Sequence, residues 1–293
     1  MSTQIDSRTP ATAGHAVASA PQVTFPHLVR SEWIKFWTVR STLWIVPISV
    51  LLMVGLGFLI AFAATHAPGA GADGGGGGGG GNEVFDASTL SNIMVAFAQL
   101  TIAVLAVLTI TGEYTTGMIR TTLTAAPKRL GALLAKALVV VSVTFTVGIV
   151  GAAITWIVTR PVLGDKYAVD LADSETRRIL LGAPLYITGI ALLAFALGAL
   201  MRHSAAAIAT VLGLLLVIEG VWSVLPWAFF QKTSPFLPGT AGLKIMSSQA
   251  AIEAGRATAH GAVLSAWQGY GVLIAWGVVL LGGAAVLLRR RDA

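Results

Sequence analysis

The chain contains no cysteine. That excludes disulfides, thiolate metal sites and cysteine nucleophiles, and it removes the residue from which a redox compartment is usually read. Charge is scarce too: 11% of the 293 residues are Asp, Glu, Lys or Arg, where soluble domains carry about 25%. A chain that is 55% hydrophobic cannot cover a soluble surface with so few charges, and it reads as an all-α integral membrane protein. The five histidines show neither H-E-x-x-H nor any other metal-ligand spacing, so no metal and no resident cofactor are expected. No G-x-x-x-x-G-K-[ST] phosphate loop occurs; the nearest glycine-rich run lacks the lysine. Residues 1–22 lack both a basic start and an apolar stretch, so they are expected to be a disordered tail rather than a signal peptide.

What the chain does have is long apolar runs. A bilayer core takes roughly 20 apolar residues per helix, and six stretches qualify: Leu43 to Ala64, Leu90 to Ile110, Ala137 to Val158, Ile179 to Met201, Ala205 to Val224 and Tyr270 to Leu288. An even number of spans leaves both termini on one side. Placing that side in the cytoplasm puts 12 of the 19 Lys and Arg residues in inner segments, among them Arg289, Arg290 and Arg291. The other seven are outside, mixed with eight acidic residues, so both ends are expected inside a cytoplasmic membrane. Arg177 and Arg178 fit that orientation least well. The net charge of +6 is thereby assigned to the membrane surface and not to nucleic acid.

Three further segments stand out. Residues 23–41 hold Val29, Trp33, Phe36 and Trp37 at i, i+4, i+7 and i+8, the spacing of an amphipathic helix lying at the inner interface ahead of the 42–293 span domain. Gly74 to Gly81 are eight consecutive glycines, a flexible coil that holds no defined site. Leu225 to Gln268 is long and carries Trp227, Phe229, Phe230 and Phe236, so it is expected to pack at the outer interface or dip back into it.

The most informative stretch is "GEYTTGMIRTTLTAAPKRLGALLAK", Gly112 to Lys136. Glu113, Gly117 and Arg120 are spaced i, i+4 and i+7, with Thr116 and Leu123 nearby, which predicts one face of a short cytoplasmic helix. Pro127 disfavours helix at the residue before it and predicts a corner there. Lys128, Arg129 and Lys136 then form a basic entry into the third span. A glycine inside a helix costs about 1 kcal/mol relative to alanine, so Gly117 predicts a close approach by a partner.

With these residues in view, the segment resembles the signature of ABC-2 type permeases, the membrane subunits of one class of ATP-binding cassette exporter. The matching positions are Glu113, Gly117, Arg120, Leu123, Pro127, Arg129 and Lys136, while Lys128 departs from the small polar residue often found there. The helix before the first of six spans and the long segment before the last are similar to that family as well. The resemblance implies a coupling helix carrying Glu113, Thr116, Gly117, Arg120, Leu123, Pro127, Arg129 and Lys136, docked in a groove of a separate ATPase subunit. It further implies a second permease chain, identical or not, ATP and Mg on the partner ATPase, and export by alternating access with no catalysis in this chain.

Glu219 is the one acidic residue inside an expected span. Intramembrane carboxylates by default face a cavity or a partner, which makes Glu219 a candidate for the substrate pathway or a gate, weighed against a structural role near the span end. A proton-coupled secondary transporter using Glu219 is the alternative reading, and an intramembrane enzyme a more distant one, since no nucleophile or metal constellation accompanies the residue.

Overall fold

The structure is a computed structural model describing residues 24–66, 87–118, 129–164, 172–258 and 261–290. Every expected span is a helix long and apolar enough to cross a membrane. In chain order the elements are α1 (Phe25–Thr38), α2 (Arg40–His66), α3 (Ala87–Thr115), α4 (Arg129–Leu163), α5 (Ser174–Met201), α6 (Ser204–Val224), the short helices α7 (Ala228–Thr233), α8 (Pro238–Leu243) and α9 (Gln249–Thr258), and α10 (Ala266–Arg290). No strand occurs among the described residues. The chain is a multi-pass membrane protein. The tail 1–22 and the polyglycine run lie outside the described residues.

The centre of the bundle is α5, which packs on α3, α4 and α10. Its apolar window is 78% buried, against 17% for α6 and 22% for α2 and α10. Helix α2 closes the bundle against α3 and α4, and α1 lies against α4 and the start of α2. Small residues set the spacing between helices. A Cβ on Gly148 of α4 would stand 2.6 Å from the Pro184 Cα of α5, and one on Gly198 of α5 would meet Ile110 of α3 at 2.7 Å. In a lipid environment, where apolar side chains gain little by leaving the tails, this kind of close backbone packing holds helices together.

The turn after α5 is tight. Arg202 takes a left-handed conformation (φ 57°) and its N–H returns to the Gly198 carbonyl, while His203 Nδ1 accepts from the Ala206 N–H and caps α6. The Arg202 guanidinium lies over the Tyr114 ring, 5.3 Å from its centroid, joining the ends of α3, α5 and α6.

Helix α6 is not regular. Residues Gly213–Ile218 form a π-helical stretch, closed by the Glu219 N–H donating to the Leu214 carbonyl. Each π turn takes in an extra residue and so changes the direction in which the following side chains point. Glu219 follows immediately.

Candidate functional site

Two polar clusters occupy opposite ends of the bundle. The first lies where α1 meets α3 and α4. Glu113 sits in the last turn of α3, Lys136 in the second turn of α4, and Glu32 and Lys35 three residues apart in α1. Lys136 Nζ donates to Glu113 Oε1 at 2.9 Å and also to Glu32 Oε2. Lys35 Nζ donates to Glu32 Oε1 at 2.9 Å and to Glu113 Oε1 at 3.2 Å. The result is a closed arrangement of two anions and two cations. Glu32, Glu113 and Lys136 are buried, and Lys35 is the member with a third of its side chain exposed.

Burial disfavours the Lys35 ammonium, yet its bonds to Glu32 and Glu113 outweigh that cost, and its pKa is raised above the ordinary lysine value. Buried ion pairs of this kind add modest net stability over an apolar packing, but removing one member leaves an uncompensated charge in a poorly solvated place. The cluster therefore ties three helices to one another and tolerates no missing member. Among the described residues the Glu113 Oε2 atom, also buried, receives no hydrogen bond.

This geometry revises the expectation for Gly112 to Lys136. Glu113 does not share a short helix with Gly117: α3 stops at Thr115, and Gly117 follows with φ 71°. The Gly117 N–H returns to the Tyr114 carbonyl at 3.4 Å, and Thr116 donates its hydroxyl to the Gly112 carbonyl at 2.8 Å. A Cβ on Gly117 would meet nothing within 4 Å. Glycine suits this position for its left-handed backbone, which costs other residues about 1–2 kcal/mol, and no described residue of the chain crowds it. Lys136 likewise is not an exposed basic entry. Helix α4 begins at Arg129 and runs through Lys136 into the third span. Arg120, Leu123 and Pro127 lie outside the described residues, as does the Arg129 side chain.

In α1 the expected stripe is divided. Phe36 is buried in the core, while Trp33 and Trp37 remain 44% and 39% exposed. The face turned to the bundle carries Glu32 and Phe36, one turn apart. The apolar stripe includes neither Glu32 nor Lys35, so amphipathicity alone does not show that they pair with Glu113 and Lys136. The signal was present as a Glu-Lys pair spaced i, i+3 in a helix beside a span.

The second cluster is built on the segment between α6 and α10, which folds back onto the bundle. Ile245 and Met246 belong to the core with Tyr186 and Leu273. Glu219 Oε1 accepts from the Gly239 N–H at 2.6 Å, and Oε2 accepts from the Thr240 N–H at 2.5 Å and its hydroxyl at 2.8 Å. At the other end of this short helical run, Arg178 donates to the carbonyls of Ile245 at 2.7 Å and Ser247 at 2.9 Å. A carboxylate at the start and a guanidinium at the finish complement the unpaired N–H and C=O groups and the helix dipole.

Glu175 repeats the device by accepting from the Gln249 N–H at 2.6 Å, at the start of α9. Arg178, the basic residue least expected at that end of the bundle, thus has a structural partner. Both oxygens of Glu219 are likewise engaged in holding the folded-back segment.

A cavity of about 580 Å³ adjoins the first cluster. The Glu32–Lys35–Glu113–Lys136 end, with this cavity beside it, is the candidate functional site. The sequence matches no protein-family model, and no curated protein matches it.

Proposed function

We propose that this chain is the membrane-spanning permease subunit of an ATP-driven transporter, moving its substrate outward across the cytoplasmic membrane by alternating access. On this reading α1 lies on the inner membrane surface, with Trp33 and Trp37 at headgroup depth, and both termini are cytoplasmic. A separate ATPase subunit binds ATP and Mg and docks on the residues between α3 and α4. A second permease chain, identical or not, completes the pathway. The segment carrying Gly117, Arg120, Leu123 and Pro127 is the contact, in the manner of a helix laid in a groove.

The observation that carries the reading is the buried cluster at the two roots of that segment. Glu113 ends the helix before it, Lys136 begins the helix after it, and the two are bonded to each other and to α1. A load applied to the segment is then delivered to α1, α3 and α4 together. A topology signal made only of basic residues has no need of two buried glutamates. Domain-scale rocking requires such bonded units that move as one.

The test is co-purification with a candidate ATPase subunit, followed by ATP hydrolysis and transport in proteoliposomes. Gly117→Trp and Arg120→Glu are expected to abolish complex formation, or to uncouple hydrolysis from transport. If both variants bind and couple like the parent, the docking role fails; ATP-independent transport by this chain alone would sink the whole reading.

A further inference from the structure

Helix α6 changes character along its length. Its first half packs on α3 and α5, with Ala207 and Val211 fully buried. The π-helical stretch that follows, Gly213–Ile218, has no buried residue, and a Cβ on Gly213 would meet nothing within 4 Å. Core packing therefore does not impose the π turn. Such turns are rare and found chiefly at functional sites, so this one calls for a cause outside itself.

The cause lies in the turns that follow. Glu219 and Trp222, three residues apart on one face, both reach the folded-back segment. Glu219 accepts from Gly239 and Thr240 at 2.5–2.8 Å. Trp222 Nε1 donates to the Thr233 hydroxyl at 2.9 Å, and its ring meets Phe230 edge-on with 4.7 Å between centroids. The segment itself is seated on other helices. Arg178 of α5 holds the Ile245 and Ser247 carbonyls, and Trp276 of α10 donates to the Phe236 carbonyl at 3.0 Å. A Cβ on Gly242 would meet Leu273 of α10 and Tyr186 of α5 at 2.6 and 2.9 Å. Its joint with α6 is the one that depends on which way α6 turns.

From this geometry we infer that α6 is a two-position switch, its π turn held by the Glu219 and Trp222 contacts and resolved when they part. A π turn holds one residue more than an α turn, and one residue of α-helix is roughly 100° of rotation. Resolving the π turn therefore brings Ile218 and Val221 to where Glu219 and Trp222 now stand, and turns the carboxylate away from Gly239 and Thr240. The extended backbone at Leu225 and Trp227 joins α6 to α7 and absorbs the rotation. The seam between α6 and the folded-back segment opens while the segment stays on α5 and α10. Release costs Glu219 three hydrogen bonds, so the latched position is the resting one. That this seam is the outer mouth of a substrate path rests on the reading under Proposed function; the switch itself does not.

The experiment uses the purified full-length chain in lipid nanodiscs. Because the chain has no cysteine, Ile218→Cys, Gly220→Cys, Val221→Cys and Ser223→Cys, all at exposed positions, each carry a single nitroxide. Collision with oxygen reads how far each label faces lipid, and circular dichroism checks helix content. All four are expected to be accessible in the otherwise parental chain. Gly239→Ala leaves the sequence of α6 intact and pushes the carboxylate off its donors. It is expected to cause loss of oxygen accessibility at Ile218→Cys and Val221→Cys, with none at Gly220→Cys and Ser223→Cys. Glu219→Gln is expected to give a smaller loss at the same two positions. Deletion of Val217 removes the extra residue and leaves Glu219 and Trp222 facing the segment. On that background Gly239→Ala is expected to change none of the four.

Unchanged accessibility at all four positions in both Gly239→Ala and Glu219→Gln overturns the switch. A gain at Val221→Cys does so too, being the sign of a segment that detaches from an unturned helix. The same loss after deletion of Val217 overturns it as well, since no π turn is left there to resolve. The scan needs no ATPase, so its failure leaves the docking reading to its own test.

Discussion

Lys136 of α4 donates to Glu32 of α1 across 104 residues of sequence, and neither side chain is more than 6% exposed. With Glu113 as the third member, this contact turns three helix ends into one unit. Lys136→Met should therefore leave two buried carboxylates short of a cation and lower stability by about 3 kcal/mol or more. Thermal unfolding of the purified chain in detergent measures it. Lys136→Arg, which keeps the charge, should lose less; an unchanged midpoint for Lys136→Met would show that the cluster does not hold α1.

Lys35 gives the same cluster an alkaline limit. Its pKa is raised above 10.5, because pairing with Glu32 and Glu113 outweighs the opposing effect of burial. A group whose folded pKa is raised contributes stability that is complete below its unfolded value, and the contribution fades as pH climbs through the folded one. Loosening of α1 should thus begin only above about pH 10.5, with a change in Trp33 and Trp37 emission. Lys35→Arg should move that change to higher pH, since the guanidinium stays charged. Coincident emission curves for parent and Lys35→Arg would assign the transition to other groups.

Gly239 stands so close to Glu219 that a Cβ would meet the carboxylate oxygens at 2.6 and 2.8 Å. Gly239→Ala should push the carboxylate off the N–H groups it holds and cost about 1–3 kcal/mol, the range for orphaning buried polar groups. The folded-back segment contains Lys232 and Lys244, so limited trypsin digestion reads its release directly. Glu219→Gln should loosen the same segment less, because the amide keeps one acceptor. Parental cleavage rates in Gly239→Ala would mean that the segment is held from elsewhere.

Gly117 holds a left-handed backbone, φ 71°, that other residues adopt only at a cost. Gly117→Asn should consequently be milder than Gly117→Ala, which is expected to cost about 1 kcal/mol. Amide exchange at the last turn of α3 measures the difference. Equal protection in both variants would contradict a conformational role.

Much of this architecture was legible from residue order alone, and the boundary of that legibility is physical. The spans could be read because hydropathy over some twenty residues is a local property, and the helix is the structure that satisfies its own backbone groups in lipid. The stretch from Gly112 to Lys136 could be singled out because its polarity contrasts with its neighbours. Its geometry could not: i, i+4 spacing says that Glu113 and Gly117 share a face only if the helix continues, and the left-handed Gly117 shows that it does not. The π-helical stretch of α6 left no mark in hydropathy, so the direction of Glu219 could not be foreseen.

Membrane residence, the number of spans and the placing of a polar segment between the second and third were determined by the sequence itself, through the length and apolarity of contiguous segments. The partners of the charged residues were decided only by the tertiary structure. Glu32, Lys35, Glu113 and Lys136 come from three separate segments, and Glu219 and Arg178 find theirs at the two ends of one folded-back run. The cost of an unpaired charge in a bilayer demands that each have a partner, but which partner depends on how the helices pack, and packing is a property of the whole bundle.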